Sequence, residues 1–290
     1  MQIDPKNYPI AVLGTGTMGE GIAQTAATAG HPVMLYDVSQ EQTRAALENI
    51  AKRLDRSTKK RKITAEKKDQ IQANLSPKQS LKELAPAKLV IEAIIEDLEI
   101  KQNVFCQLES LLGADAILAT NTSSIDLNKM GSTLKRPERL VGMHFFNPVP
   151  VMKLVEVIKG NETSEETTAA TIALSEQMGK IPVTANDFAG FVSNRVLMPM
   201  INEAFHAWAD GVAEPEAIDS IMKLGCAFPM GPLRLADYIG LDVCRDIMKV
   251  MYEGLDQNPK YLPSEKIVAL VDAGHLGDKT GQGVYKHEKG

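Results

Sequence analysis

The 290 residues include only three cysteines, Cys106, Cys226 and Cys244, and no two of them form a Cys-x-x-Cys pair. An odd, scattered set of thiols argues against a disulfide framework and against a zinc ribbon, and no metal site is expected. No stretch approaches the roughly 20 apolar residues that a membrane-spanning helix requires. There is no basic surplus either. Lys and Arg number 32 against 37 Asp and Glu, a net charge of −5, which sets a nucleic-acid binder well behind other classes. The opening residues, MQIDPKNYP, lack the basic segment and apolar run of a secretory signal. Aromatic residues are few, at 5%, but 44% hydrophobic and 24% charged residues fit an ordinary globular protein. A chain of this length can hold two domains. The expectation is a reduced, cytoplasmic protein.

What is present is a change of pattern partway along the chain. From Ile10 to about Asp187, short runs rich in Ile, Val and Leu alternate with longer polar-patterned segments. Ile10–Leu13, Val33–Asp37, Leu89–Ile94, Ala116–Thr120 and Leu140–His144 have the length and continuity of strands covered on both faces. Helical spacing marks Gln40–Ile63, Thr64–Leu75 and Leu98–Leu112 between them. That alternation predicts βαβ units and an open, mostly parallel sheet. After Asp187 the strand signal stops. Phe191–Ala209, Pro215–Leu224, Arg234–Gly254 and Ser264–Ala273 read as helices, with Pro199 expected to interrupt or kink the first. The expected fold class is α/β, a Rossmann-type sheet domain over 1–187 followed by an all-α domain over 188–290.

The first strand runs into Gly14-Thr15-Gly16-Thr17-Met18-Gly19, a GxGxxG turn followed by an alanine-rich helical pattern. Gly14 permits the tight turn, Gly16 lets backbone approach a pyrophosphate, and Gly19 lets helix and strand pack closely. The helix N-terminus, with Thr17 and Met18 in its first turn, then offers unpaired N–H groups to phosphates. Asp37 ends the second strand 18 residues after Gly19, close to the ~20 expected of a carboxylate that binds a ribose 2′-OH. No arginine follows it at once, so NAD is expected rather than NADP.

Reactive groups should lie at the C-terminal ends of the strands. Asn121-Thr122-Ser123-Ser124 follows one strand, and His144-Phe145-Phe146-Asn147-Pro148 follows another. Glu156 stands in the next alternating segment, Lys153–Ile158. A histidine and a carboxylate on adjacent strands can form an orienting pair for proton transfer.

These residues belong to a longer set of matching stretches: LGTGTMGEGIAQ, ATNTSSI, GMHFFNPVPVMKLVEVI, DFAGFVSNRVLMPMINEA, CAFPMGPLRLADYIGLD and GDKTGQGVY. In that order, from Leu13 to Tyr285, the chain resembles the 3-hydroxyacyl-CoA dehydrogenase family, and particularly its bacterial 3-hydroxybutyryl-CoA members. The resemblance implies NAD-dependent interconversion of a 3-hydroxyacyl-CoA and a 3-oxoacyl-CoA. It implies His144 as general base, Glu156 as its orienting carboxylate, Ser123 at the substrate C3 oxygen and Asn194 near the substrate carbonyl. It places Glu96, Lys101 and Asn121 at the cofactor, and Asn147 beside His144 and the substrate. It also implies a homodimer formed through the helical domain. Two positions depart from the family pattern, Ala189 where proline is common and Ser193 where an apolar residue is commoner. Neither is a reactive group.

The charged run Lys52–Lys68 takes on a role by the same resemblance, which puts basic residues of this helix on the phosphates of coenzyme A. Arg56 and Lys60 are four apart and share a helix face, with Lys52 one turn back. Three other readings exist. A gulonate-type sugar-acid dehydrogenase would use the same His–Glu pair without CoA. A β-hydroxyacid dehydrogenase would need a lysine in the first helix of the second domain, where this chain has Phe191-Val-Ser-Asn-Arg195. A non-catalytic NAD-binding protein would not need His144, which is present.

Overall fold

The computed structural model describes residues 3–287, which fall into two compact units divided between Asp187 and Phe188. In the first, β1 (Ile10–Leu13) leads through the glycine turn into α1 (Thr17–Thr28), β2 (Val33–Tyr36), α2 (Gln40–Lys59), α3 (Ala65–Ala73) and β3 (Leu75–Pro77). Then come β4 (Leu89–Glu92), α4 (Leu98–Leu111), β5 (Ile117–Thr120), α5 (Leu127–Gly131) and β6 (Leu140–Phe145). The unit closes with β7 (Leu154–Lys159), α6 (Glu165–Gln177) and β8 (Ile181–Asn186). One sheet holds all eight strands in the order β3-β2-β1-β4-β5-β6-β7-β8. Every pairing is parallel except β6 with β7.

β1 explains the unbroken apolar runs. Ile10 and Val12 enter one core with Ile22, Val33 and Ile91, while Ala11 and Leu13 enter a second with Val90 and Phe105. Side chains alternate between faces along a strand, and here both faces are covered, so neither set needs to be polar.

Several boundaries differ from the sequence reading. β2 ends at Tyr36 and leaves Asp37 just beyond it, and β4 ends at Glu92 rather than Ile94. α2 stops at Lys59 instead of reaching Ile63, because Arg61 turns into the left-handed region at φ 54°. β3 has three residues, and β8 has no buried residue at all, so neither announces itself as an apolar run.

The second unit contains α7 (Ser193–Ala209), α8 (Pro215–Gly225), α9 (Pro232–Ile239), α10 (Leu241–Gly254) and α11 (Glu265–Asp272). Their apolar faces meet in a core that includes Met198, Phe205, Leu233, Leu241 and Met248. α7 continues through Pro199. The single helix expected over 234–254 is two helices. Gly240, at φ 108°, breaks the run in a conformation that L side chains rarely adopt.

Candidate active site

The glycine turn has the form that its spacing requires. Gly14 sits at φ 87°, and a Cβ there would lie 2.5 Å from the Ala93 carbonyl oxygen. At Gly19 a Cβ would lie 1.9 Å from the carbonyl oxygen of Gly14, so strand and helix approach too closely for any side chain. At Gly16 the same Cβ would meet nothing within 4 Å. Gly16 is also the N-cap of α1 and brings no side chain to cap it. The open space therefore adjoins uncapped helix N–H groups, including those of the first turn at Thr17 and Met18. A pyrophosphate, the central group of NAD, fits such a cradle.

Asp37 stands beside the cradle. Its Oδ2 accepts from the N–H of Thr15 at 2.8 Å and from the Thr15 hydroxyl at 3.2 Å, and its Oδ1 from the N–H of Ser39 at 3.0 Å. The carboxylate is thereby fixed on the wall of a groove of about 870 Å³ whose lining includes Gly14, Gly16, Ile94 and Ile100. The carboxylate is polar and the isoleucines apolar, which suits a ribose beside a flat base.

At the C-terminal ends of β4 and β5 lies a network of charges. Glu92 and Lys101 are almost wholly buried and pair at 2.6 Å. Lys101 also reaches Glu96 at 3.2 Å. Glu96 Oε1 accepts from the Thr122 hydroxyl, the Ser123 N–H at 3.1 Å and the Ser124 hydroxyl at 3.0 Å. Burial opposes ionisation of Glu96, but the Lys101 ammonium and the hydroxyls of Thr122 and Ser124 outweigh it. Its carboxyl is held below the usual range. Asn121 does structural work here, its side-chain oxygen accepting from the N–H of Phe145 at 2.9 Å and tying the end of β5 to β6.

His144 and Glu156 are register partners in the antiparallel β6–β7 pair and so share one face of the sheet. His144 Nδ1 lies 2.7 Å from Glu156 Oε2, and both residues are buried. The Phe146 ring packs on the imidazole with centroids 4.7 Å apart. The expected hold of Asn147 on His144 is not observed. Asn147 is exposed, at a cis peptide to Pro148, and no hydrogen bond joins its side chain to the imidazole among the described residues. Glu156 and Phe146 both contact the ring.

The segment after His144 is anchored by Lys180, which the sequence reading passed over. Its buried ammonium donates to the carbonyl oxygens of Val149 and Met152, and burial pulls its pKa down. Val149 in turn abuts Gly21 of α1, where a Cβ would come 2.8 Å from the valine Cβ. Glu92 and Thr15 were missed as well. Glu92 did carry a signal, as the one charge inside the apolar run LVIEAI.

The remaining expected site residues stand at the ends of helices. Arg56 is exposed on the last turn of α2, and Lys60 is its exposed C-cap residue. Among the described residues neither has a carboxylate within ion-pair distance. Asn194 is in the first turn of α7, in the second unit. No group of His, Cys, Asp and Glu among the described residues could hold a metal ion.

Residues 9–188 match the family described as "3-hydroxyacyl-CoA dehydrogenase, NAD binding domain", and residues 190–287 match "3-hydroxyacyl-CoA dehydrogenase, C-terminal domain". A Bacillus subtilis (strain 168) protein named "Probable 3-hydroxybutyryl-CoA dehydrogenase" is 50% identical over 280 residues, covering 97% of each chain. The Clostridioides difficile 3-hydroxybutyryl-CoA dehydrogenase is 45% identical over 280 residues, 97% of this chain and 99% of its own. The crystal structure of (S)-3-hydroxybutyryl-CoA dehydrogenase from Ralstonia eutropha superposes with a TM-score of 0.94 at 44% identity, covering 98% of this chain and 100% of that one.

Proposed function

The chain belongs to the NAD-dependent 3-hydroxyacyl-CoA dehydrogenase family, and from that premise we propose that it interconverts (S)-3-hydroxybutyryl-CoA and acetoacetyl-CoA. The observation that carries the chemistry is the 2.7 Å contact between His144 Nδ1 and Glu156 Oε2. A carboxylate on Nδ1 keeps the proton on that nitrogen, so that Nε2 carries the lone pair that acts as base.

NAD, when bound, supplies the hydride acceptor. The protein's residues do the rest. His144 Nε2 takes the proton of the 3-hydroxyl group, and Glu156 lowers the cost of the imidazolium that results. In the reverse direction the same nitrogen returns the proton to the carbonyl oxygen. Ser123, on the turn held by Glu96, donates its hydroxyl to the C3 oxygen. On the family motif alone, Asn194 donates to the substrate carbonyl. Gly14, Gly16, Thr17, Met18, Gly19 and Asp37 bind the pyrophosphate and ribose side of NAD, with Glu96, Lys101 and Asn121 on its other side. Asn147 is assigned to the substrate by the motif. Arg56 and Lys60, exposed and without carboxylate partners, bind CoA phosphates.

In the second unit Val196, Ile221 and Leu224 are 67%, 61% and 87% exposed, and this supports a homodimer formed through that unit. A monomer mass by light scattering would remove that part of the reading. No helix among the described residues is long and apolar enough to cross a membrane.

The experiment is NADH oxidation with acetoacetyl-CoA, run beside NADPH and beside free acetoacetate. Turnover that needs both NADH and the CoA moiety is expected. No turnover despite demonstrated NADH binding would sink the hydroxyacyl-CoA reading. Turnover with NADPH in place of NADH would overturn only the role of Asp37.

A further inference from the structure

Glu92 ends β4 beneath the Asn121–Ser124 turn, and the proposed reaction makes no use of it. It is 0% exposed. Its Oε1 accepts from the Lys101 ammonium at 2.6 Å and from the N–H of Ile94 at 2.7 Å, while its Oε2 accepts from the Thr120 hydroxyl at 2.7 Å. A carboxylate removed from water persists only with partners of this kind. Stability is a poor reason for its presence, because an apolar pair of similar volume serves a fold at least as well as a buried ion pair does.

Lys101 shows what the pair does. Its stem rises from the first turn of α4, its N–H bonded to the carbonyl oxygen of Asp97, and its side chain is 1% exposed. Its ammonium touches both Glu92 and Glu96. Glu96 is tied on one side to that ammonium and on the other to Thr122, Ser123 and Ser124. One line of contacts therefore runs from Glu92 through Lys101 and Glu96 to the turn that carries Ser123, beside a shorter one through the Thr120 hydroxyl to the N–H of Thr122. Without Glu92 the ammonium has one carboxylate left to satisfy it, and Glu96 would be drawn from the turn toward Lys101.

We propose that Glu92 is a positioning residue that acts through Lys101 to set Glu96 and the Ser123 turn for the cofactor. The proposal rests on the reading above only in placing Glu96 on the cofactor side. Its test measures NADH affinity without substrate, by quenching of protein fluorescence, for native protein, Glu92→Gln, Glu96→Gln and the double variant. Each single substitution is expected to weaken NADH about ten-fold, the scale of a lost hydrogen bond to a charged group. If both act along one line, the double variant also loses about ten-fold rather than about a hundred-fold.

An unchanged affinity in Glu92→Gln would overturn the proposal. So would a double variant whose loss equals the product of the singles, because a residue that merely supports the fold gives independent effects. Should Glu92→Gln fail to fold, Glu92→Asp, which keeps the charge but draws the carboxylate back from the Lys101 ammonium, goes through the same cycle against the same outcomes. Failure of native protein to turn over acetoacetyl-CoA would count against the substrate reading and leave this cycle unaffected.

Discussion

His144 and Glu156 sit directly opposite one another in the one antiparallel pairing of an otherwise parallel sheet, Nδ1 to Oε2 at 2.7 Å. Their separation is set by the hydrogen-bond ladder of two adjacent strands, not by a loop. The reversal of β7 has a direct chemical consequence, since it returns a carboxylate twelve residues later to the same level and face as the histidine.

Glu156→Gln keeps a hydrogen-bonding oxygen but loses the charge that stabilises the imidazolium. His144→Gln removes the base itself. Turnover should fall strongly in both, within the ~10²–10⁴-fold that general acid–base assistance contributes. NADH affinity, read by fluorescence quenching, should be near native. A near-native rate in Glu156→Gln would remove that residue from the mechanism, and equal loss of turnover and NADH binding in His144→Gln would count against the role of His144.

Two glycines of one motif should respond in opposite ways. Gly19→Ala places a Cβ 1.9 Å from the Gly14 carbonyl oxygen, so α1 must shift and the protein should lose about 1–3 kcal/mol of stability. Gly16→Ala meets nothing within 4 Å. The cofactor-free protein should then melt as the native one does, while NADH binds far less well because the methyl occupies the pyrophosphate's space. Thermal melts with and without NADH separate the two effects.

Asp187 gives the first unit a pH dependence. Its side-chain oxygen accepts from the N–H groups of Leu127 and Asn128, at 2.7 and 3.2 Å, and from the Asn128 amide at 3.0 Å. Burial and the neighbouring Asp126 carboxylate nevertheless push its pKa up to about 7. An aspartate in the unfolded chain titrates near about 3.9, so the folded state holds a proton that the unfolded state has released. The group's contribution is full below about 3.9 and is lost as pH rises through about 7. Asp187→Asn keeps an acceptor for the same donors and gains a donor toward Asp126. Its melting temperature should exceed the native value at pH 8, with a smaller gap at pH 5. An equal gap at both would show that Asp187 is not the group responsible.

Arg56→Glu combined with Lys60→Glu should raise KM for acetoacetyl-CoA about ten-fold or more at low salt, with kcat little changed. The defect should shrink as ionic strength rises and the Debye length falls to about 8 Å near 0.15 M. A KM that ignores both substitutions would move the CoA phosphates elsewhere.

Much of this site was legible residue by residue. The glycine turn and Asp37 stand at spacings that local geometry dictates, because a tight turn, a helix N-terminus and a strand end each tolerate few residue types, while His144 and Glu156 stood out by their chemistry on neighbouring strands. Elements with weak local signals were not legible. β8 is exposed along its length, and α9 and α10 share a helical pattern that only the positive φ of Gly240 divides. Asn147 follows His144 closely in sequence, yet its exposed side chain makes no hydrogen bond to the imidazole among the described residues.

The order of residues alone therefore determined the class of fold, the change from alternating to helical pattern near Asp187, and which groups are proposed as reactive. These depend on periodicity and on chemistry carried by single side chains. Tertiary structure decided which groups meet. It set His144 against Glu156 through strand register and brought Thr15 to Asp37 across 22 residues. It also buried Glu92 with Lys101, and it brought Lys180 to the carbonyls of Val149 and Met152. Such contacts join residues far apart in the chain, and a charge becomes informative only when folding removes the water around it.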